Sequence, residues 1–378
     1  MQYNLFLFLA LCLISMTNKT NAQQRARDYG ISIGVLPTGV LNAITDVAGV
    51  QVGHLTKLEG EDIRTGVTAI LPHSGNLFQE KVPAAVFIGN GFGKLAGTTQ
   101  IEELGNIESP IILTNTLSVA AGIQGVIEYT LTFPGNEQVQ SVNTVVGETN
   151  DGFLNDIRGQ HIDKEDVLKA IQAASETHVQ EGNVGAGTGT VCFGFKGGIG
   201  TSSRKLPASL GGYTVGVLVQ SNFGGVLQID GVPIGVELEQ YSFKNQIESA
   251  DGSCMIIVAT DAPVNERNLK RMAQRAMMGL AKTGGIASNG SGDYVIAFST
   301  DPQNRIPHSG NALQLNEHKY LQNDDMSALF LATIEATEEA IINSLFVAET
   351  MIGKSGRQVN ALPKEKVIEI MKHYNRIQ

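Results

Sequence analysis

Asp251-Gly252-Ser253-Cys254 runs directly into Met255-Ile256-Ile257-Val258-Ala259-Thr260, so a glycine–serine pair heads an unbroken apolar stretch. A strand with one wet face alternates apolar and polar residues, whereas a run without alternation reads as a strand covered on both faces. A serine at the head of such a strand has a hydroxyl that can attack the carbonyl before it. Gly252 carries no side chain to obstruct the tetrahedral intermediate. Hydrolysis of the resulting ester would leave Ser253 as a new chain terminus. Its α-amine, with a reference pKa of about 7.7–8, could then serve as the base for its own hydroxyl. By itself the tetrapeptide is equally an Asp-Gly turn before a strand.

Other apolar runs surround this one. Residues 66–71, 84–88, 111–113, 142–146, 216–219 and 294–299 read as strands, as does the stretch 35–52. Three helices carry start and stop signals. Asp163-Lys164-Glu165-Asp166 opens a helix expected to reach Val179, and Asp261-Ala262-Pro263 opens a second that ends at Gly284-Gly285. A third is expected over 327–351, before Gly353. Strands and helices in this order suggest a layered α+β sandwich, and the polar stretch 301–325 reads as a loop.

Length and composition narrow the function. A chain of 378 residues can bury a substantial core. Net charge is −10, from 27 basic and 37 acidic residues, and no basic stripe suggests nucleic acid. The run from Leu5 to Met16, with Thr20-Asn21-Ala22 behind it, reads as a secretory signal of residues 1–22. It is too short to span a bilayer comfortably. The expected mature chain therefore starts near Gln23, is periplasmic or secreted, and contacts no membrane once the signal is removed. Cys12 leaves with the signal; Cys192 and Cys254 remain, too few for a disulfide framework.

Several catalytic signatures are missing: His-Glu-x-x-His, the Gly-x-Ser-x-Gly elbow, a Walker A loop and metal-spaced Cys/His pairs. No metal or cofactor is implied. The seven histidines are scattered, which disfavours a histidine-based triad. Three loops next to strands remain. Asn289-Gly290-Ser291-Gly292-Asp293 could hold a proton relay at a sheet edge, or be a turn. Gly147-Glu148-Thr149-Asn150-Asp151-Gly152 puts a carboxylate where it could hold a substrate ammonium, or simply face water. Asn222, after another apolar strand, could donate its amide to an oxyanion or form an Asx-turn. The segment 182–204 has eight glycines in 23 residues, but it lacks the Lys-Ser/Thr pair of a phosphate loop. Close chain packing around an active site fits those glycines better.

Together these strings resemble the family of L-aminopeptidase/D-amidase-esterases and β-peptidyl aminopeptidases, self-processing peptidases of the N-terminal serine type. The similarity covers about residues 30–363. It rests on Ile44-Thr45-Asp46-Val47-Ala48-Gly49-Val50, Val52-Gly53-His54, Thr114-Asn115-Thr116-Leu117-Ser118, 147–156, 182–189, 197–204, Gly252-Ser253, Ala259-Thr260-Asp261-Ala262-Pro263 and 289–293.

The resemblance implies an αββα sandwich akin to N-terminal nucleophile hydrolases, with a distinct topology. It also implies cleavage at Gly252–Ser253 into an α chain (23–252) and a β chain (253–378) that remain associated, commonly as four αβ units. Ser253 would be the nucleophile, Ser291 and Asp293 its orienting relay, Asn222 part of the oxyanion hole and Glu148 the holder of the substrate amine. Asp293 stands where some relatives carry Glu, and Asn150, at the substrate site, where some carry Tyr. The expected substrates are short peptides, amino acid amides or esters. Two other readings are an acyltransferase on a related self-cleaving scaffold, whose members present threonine, and a non-catalytic peptide-binding relative.

Overall fold

The computed structural model describes residues 24–244, 252–308 and 317–378; the signal segment, Asp251 and 309–316 of the expected loop lie outside the described residues. Among the described residues, nine strands of five or more residues form two sheets. They are β1 (Gln51–Glu59), β2 (Ile63–Leu71), β3 (Glu80–Gly91), β4 (Ile111–Asn115), β5 (Val145–Thr149), β6 (Gly198–Lys205), β7 (Thr214–Asn222), β8 (Ser253–Thr260) and β9 (Gly292–Ser299). The first sheet runs β1-β2-β4-β5 with the short pair Leu95–Ala96 on its edge, and the second runs β6-β7-β8-β9-β3. Five helices of nine or more described residues cover them: α1 (Val119–Leu131), α2 (Lys164–Gln172), α3 (Glu266–Lys282), α4 (Ser327–Val347) and α5 (Lys364–His373).

Side-chain alternation along β8 explains the four layers. Cys254, Ile256 and Val258 point into the core beneath α3 and α4, with Leu269, Met272, Ala340 and Ile341. Met255, Ile257 and Ala259 point the other way, into a core shared with Ile111, Leu113 and Val145 of the first sheet. The first sheet repeats the pattern: Ile70 faces inward, while Val67, Ala69 and Leu71 face Val126, Val167 and Ile171 of α1 and α2. The central strands thus bury both faces, which is why stretches such as Met255–Ala259 are apolar without alternation, while the edge strand β1 leaves its far end exposed. Burying one such Ile or Val contributes about 1.5–3 kcal/mol. The order is helix, sheet, sheet, helix, the expected αββα sandwich.

Glycines in the 182–204 segment serve close packing, as their density suggested. A Cβ on Gly200 would lie 2.0 Å from the Ala340 carbonyl oxygen, so β6 and α4 meet there only because position 200 has no side chain.

Local expectations differ from the structure at several element ends. The helix expected over 327–351 stops at Val347 because Met351–Ile352 pairs as a strand with Gln358–Val359, and the strand expected over 142–146 begins at Val145. Strand structure in 35–52 begins only at Gln51. Before it the chain is tied into turns, with the Asp46 carboxylate accepting from Leu41 N–H at 2.9 Å and Ala43 N–H at 3.1 Å. The helix expected to reach Val179 ends at Gln172, because Ser175 pairs with Val52 at the edge of β1 and draws the chain back to the sheet. The helix after Asp261-Ala262-Pro263 starts at Glu266, capped by Asn265, whose side chain accepts from Asn268 N–H at 3.0 Å. Asp261 instead accepts from Thr214 N–H at 2.7 Å, tying β7 to the end of β8.

Candidate active site

Register brings the site together. Ser253, the first residue of β8, lies opposite Asn222 on antiparallel β7 and opposite Gly292 on parallel β9. It shares the parity of Met255, so its side chain faces the space between the two sheets. The Ser253 Oγ accepts a hydrogen bond from Gly292 N–H at 3.2 Å. The same N–H lies 3.2 Å from the Gly252 carbonyl oxygen. One backbone donor therefore touches both the hydroxyl and the carbonyl that this hydroxyl would attack.

Gly252 is demanded by the neighbouring strand end. A Cβ there would sit 2.4 Å from the Asn222 carbonyl oxygen and 2.5 Å from the Phe223 Cα. Beside it, the Asn222 Oδ1 accepts from Val191 N–H at 2.9 Å. That bond assigns the amide's oxygen to Val191 and leaves its NH₂ as the end available to an oxyanion.

Asn222, Gly252 and Ser253 line a cavity of about 750 Å³ between the sheets. Glu148 and Asn150 line it from the first sheet. Glu148 is buried, with Oε1 accepting from Lys94 N–H at 2.9 Å and Oε2 from the Thr116 hydroxyl. The Asn150 side-chain oxygen accepts from Gly152 N–H at 2.9 Å, an Asx-turn at the rim. Phe92, Phe153, Phe193, Phe223 and Tyr241 supply the aromatic walls.

Ser291 and Asp293 lie behind the cavity, not on its lining. Both are buried, and Asp293 pairs in register with Cys254, on the face of the sheet opposite Ser253. Burial lifts the Asp293 carboxyl to about 6, while the Ser291 hydroxyl and Cys254 N–H pull the other way. Among the described residues neither Asp293 oxygen nor the Ser291 hydroxyl closes a full hydrogen bond. Buried polar groups left in that state cost stability and mark places where structure serves chemistry.

Sequence reasoning passed over the residues that hold these groups in place. The Asn90 amide donates to the carbonyls of Ser288 at 2.9 Å, Asn289 at 3.2 Å and Ser291, clasping the turn that presents Gly292. Lys196 is fully buried and donates to the carbonyls of Gly187 at 3.0 Å and Gly197 at 2.7 Å, bracing the loop that carries Val191. Burial lowers its ammonium to about 7. The only sequence signal for the first of these was the tight glycine spacing in Asn90-Gly91-Phe92-Gly93. Cys192 and Cys254 are separate buried thiols, with burial raising Cys192 to about 12 and Cys254 also upward. Burial likewise depresses His54 to about 4, so it is a neutral packing residue near neutral pH.

Known proteins resemble this chain over nearly its whole length. A β-peptidyl aminopeptidase of Sphingosinicella microcystinivorans is 41% identical, with 93% of each chain covered. The structure of a Burkholderia β-aminopeptidase superposes with a TM-score of 0.86 at 40% identity, covering 93% of this chain and 99% of that one. The L-aminopeptidase D-Ala-esterase/amidase of Ochrobactrum anthropi is described as a prototype serine aminopeptidase and a variant of the N-terminal nucleophile hydrolase fold. It also gives a TM-score of 0.86, at 36% identity, covering 94% of this chain and 99% of that one. The fold and the chain's relatives together define a serine-type aminopeptidase with an N-terminal nucleophile hydrolase fold. Residues 42–359 match Peptidase family S58, and the chain belongs to that family.

Proposed function

We propose that this is an exported enzyme that cuts itself at Gly252–Ser253 and then releases N-terminal residues from short peptides, amides or esters through an acyl-enzyme on Ser253. The observation carrying this reading is the Gly292 N–H, 3.2 Å from both the Ser253 Oγ and the Gly252 carbonyl oxygen. In the first reaction the Ser253 Oγ attacks the Gly252 carbonyl carbon. The developing oxyanion stays on the Gly292 N–H, the hydroxyl proton passes to the Ser253 nitrogen, and the C–N bond breaks to leave an ester. Water hydrolyses that ester to a Gly252 carboxylate and a free Ser253 α-amine.

Turnover then repeats the chemistry on a substrate. The α-amine takes the hydroxyl proton as Oγ attacks the substrate's carbonyl carbon. The Asn222 NH₂ and a backbone N–H hold the oxyanion, and the proton moves to the leaving amine or alcohol. Water releases the acyl group as an acid. Glu148 pairs with the substrate's free ammonium. Because its two oxygens are already held by Lys94 N–H and Thr116, the carboxylate is oriented before the substrate arrives. The two products of self-cleavage stay together as an αβ pair, since β8 lies between β7 and β9.

Two tests follow from this site. Replacing Glu148 by Gln keeps the shape and removes the charge, so KM for an amino acid amide should rise about 10- to 100-fold. The wild-type enzyme should leave the N-acetylated amide uncut. Equal steady-state rates on acetylated and free amides would sink this assignment. For self-cleavage, Asp293 belongs to the proposed relay that eases the hydroxyl proton toward the Ser253 nitrogen. It acts through Ser291 because it lies on the opposite face of the sheet, and it can take up a proton only when ionised. Its raised value of about 6 places the acid limb there, so the rate should climb through that pH and level off above it. Conversion of chain made by cell-free translation, followed by mass from about pH 5 to about pH 8, reads this limb. Asp293→Asn should abolish it, and an unchanged profile in that variant would remove Asp293 from the relay.

A further inference from the structure

Beyond the amine subsite, the charge pattern of the cavity names the other end of the substrate. Glu148 and Lys94 are the charged residues among those lining the cavity, and they are opposite in sign. We propose that Lys94 binds the C-terminal carboxylate of short substrates, making free dipeptides the preferred class. This rests on the reading above, in which Glu148 holds the substrate's ammonium.

Several lysines, Lys94 and Lys205 among them, pair with no carboxylate among the described residues, and of these Lys94 is the one that lines the cavity. Lys57, Lys81, Lys164, Lys270, Lys282 and Lys354 each pair with a carboxylate. In a chain of net charge −10 such partners are plentiful. The Lys94 ammonium is exposed and pairs with no acid among the described residues, Glu148 included. Its backbone is nevertheless fixed. Lys94 N–H donates to Glu148 Oε1 at 2.9 Å, and Phe92, two residues earlier, donates its N–H to the Ser291 carbonyl at 3.1 Å. The strand end that carries the free cation is thus stapled at once to the amine subsite and to the nucleophile's turn.

Distances favour two-residue substrates. A lysine ammonium reaches roughly 6 Å from its own Cα, and an extended peptide gains about 3.3–3.6 Å per residue. Lys94 N–H sits on Glu148 and both line the cavity with Ser253, so the ammonium stands within one side-chain length of the amine subsite, and a dipeptide is the shortest peptide that offers it a carboxylate. Each added residue carries the carboxylate about one residue length further out of reach. The contact exists before and during acyl transfer, so it acts on KM and leaves kcat largely alone.

The experiment compares processed wild type, Lys94→Met and Lys94→Glu on a dipeptide acid, Xaa-Leu-OH, and its amide, Xaa-Leu-NH₂. Xaa is whichever of L-alanine, D-alanine or β-alanine is turned over fastest. The readout is the acid-to-amide ratio of kcat/KM, which cancels any general loss of folded enzyme. Lys94→Met should lower the ratio about three- to fivefold through KM, as a partly exposed ion pair allows. Lys94→Glu should lower it further, and added salt should shrink the wild-type preference. A ratio unchanged in both variants overturns the proposal. Wild type that cleaves neither compound would instead overturn the aminopeptidase reading on which the proposal stands.

Discussion

Ser253→Ala should accumulate as one uncut chain with hydrolysis reduced by roughly 10⁴- to 10⁶-fold, the loss seen when a serine nucleophile is removed. The substitution deletes a single atom. Gly292 N–H keeps the Gly252 carbonyl as an acceptor, so the variant should fold and melt close to wild type. Intact mass with N-terminal sequencing decides the matter. Wild type should give two chains, one beginning at Ser253, and the alanine variant a single chain. A Ser253→Ala protein that still yields two chains and turns over substrate would end the mechanism proposed here.

Asn222 carries the second large effect. Losing one oxyanion donor costs about 10²- to 10³-fold in kcat. Alanine at this position would also strip Val191 N–H of its acceptor, a separate structural cost of about 1–3 kcal/mol. Asn222→Asp divides the two roles: it keeps an oxygen for Val191 and removes the NH₂. Its kcat should fall at least as far as that of the alanine variant while its melting temperature stays nearer to wild type. An aspartate variant with kcat within about threefold of wild type would take Asn222 out of the oxyanion hole.

The layers were legible because burial on both faces leaves a mark in composition. Met255 to Thr260 lacks alternation since β8 is sandwiched, and Gly252-Ser253 stands at its head. Element ends were less legible, because tertiary partners set them. Ser175 stops α2 early by pairing with Val52, and Asp261 is diverted from capping a helix to holding Thr214 N–H. In the site, Asn222, Glu148, Ser291 and Asp293 could be picked out as polar residues next to apolar strands. Their supports could not. Asn90 clasps a turn 198 residues away, and nothing local to Asn90 announces that. Lys196 looks like an ordinary cation in sequence, yet it is wholly enclosed by the loops it braces.

The central place of β8 ties cutting to the history of the chain. Asn222 and Gly292 reach Ser253 only after three strands from distant parts of the sequence have zipped together. A self-inflicted cut at this bond would therefore act as a receipt for completed folding, issued once and never before assembly. It would also be a ratchet. The uncut chain folds as one molecule, but the cut fragments must find each other before the sheet can re-form, so recovery from denaturation becomes dependent on concentration. Such an enzyme, once matured, is held together by kinetics as much as by contacts, a useful property where no chaperone waits to rebuild it.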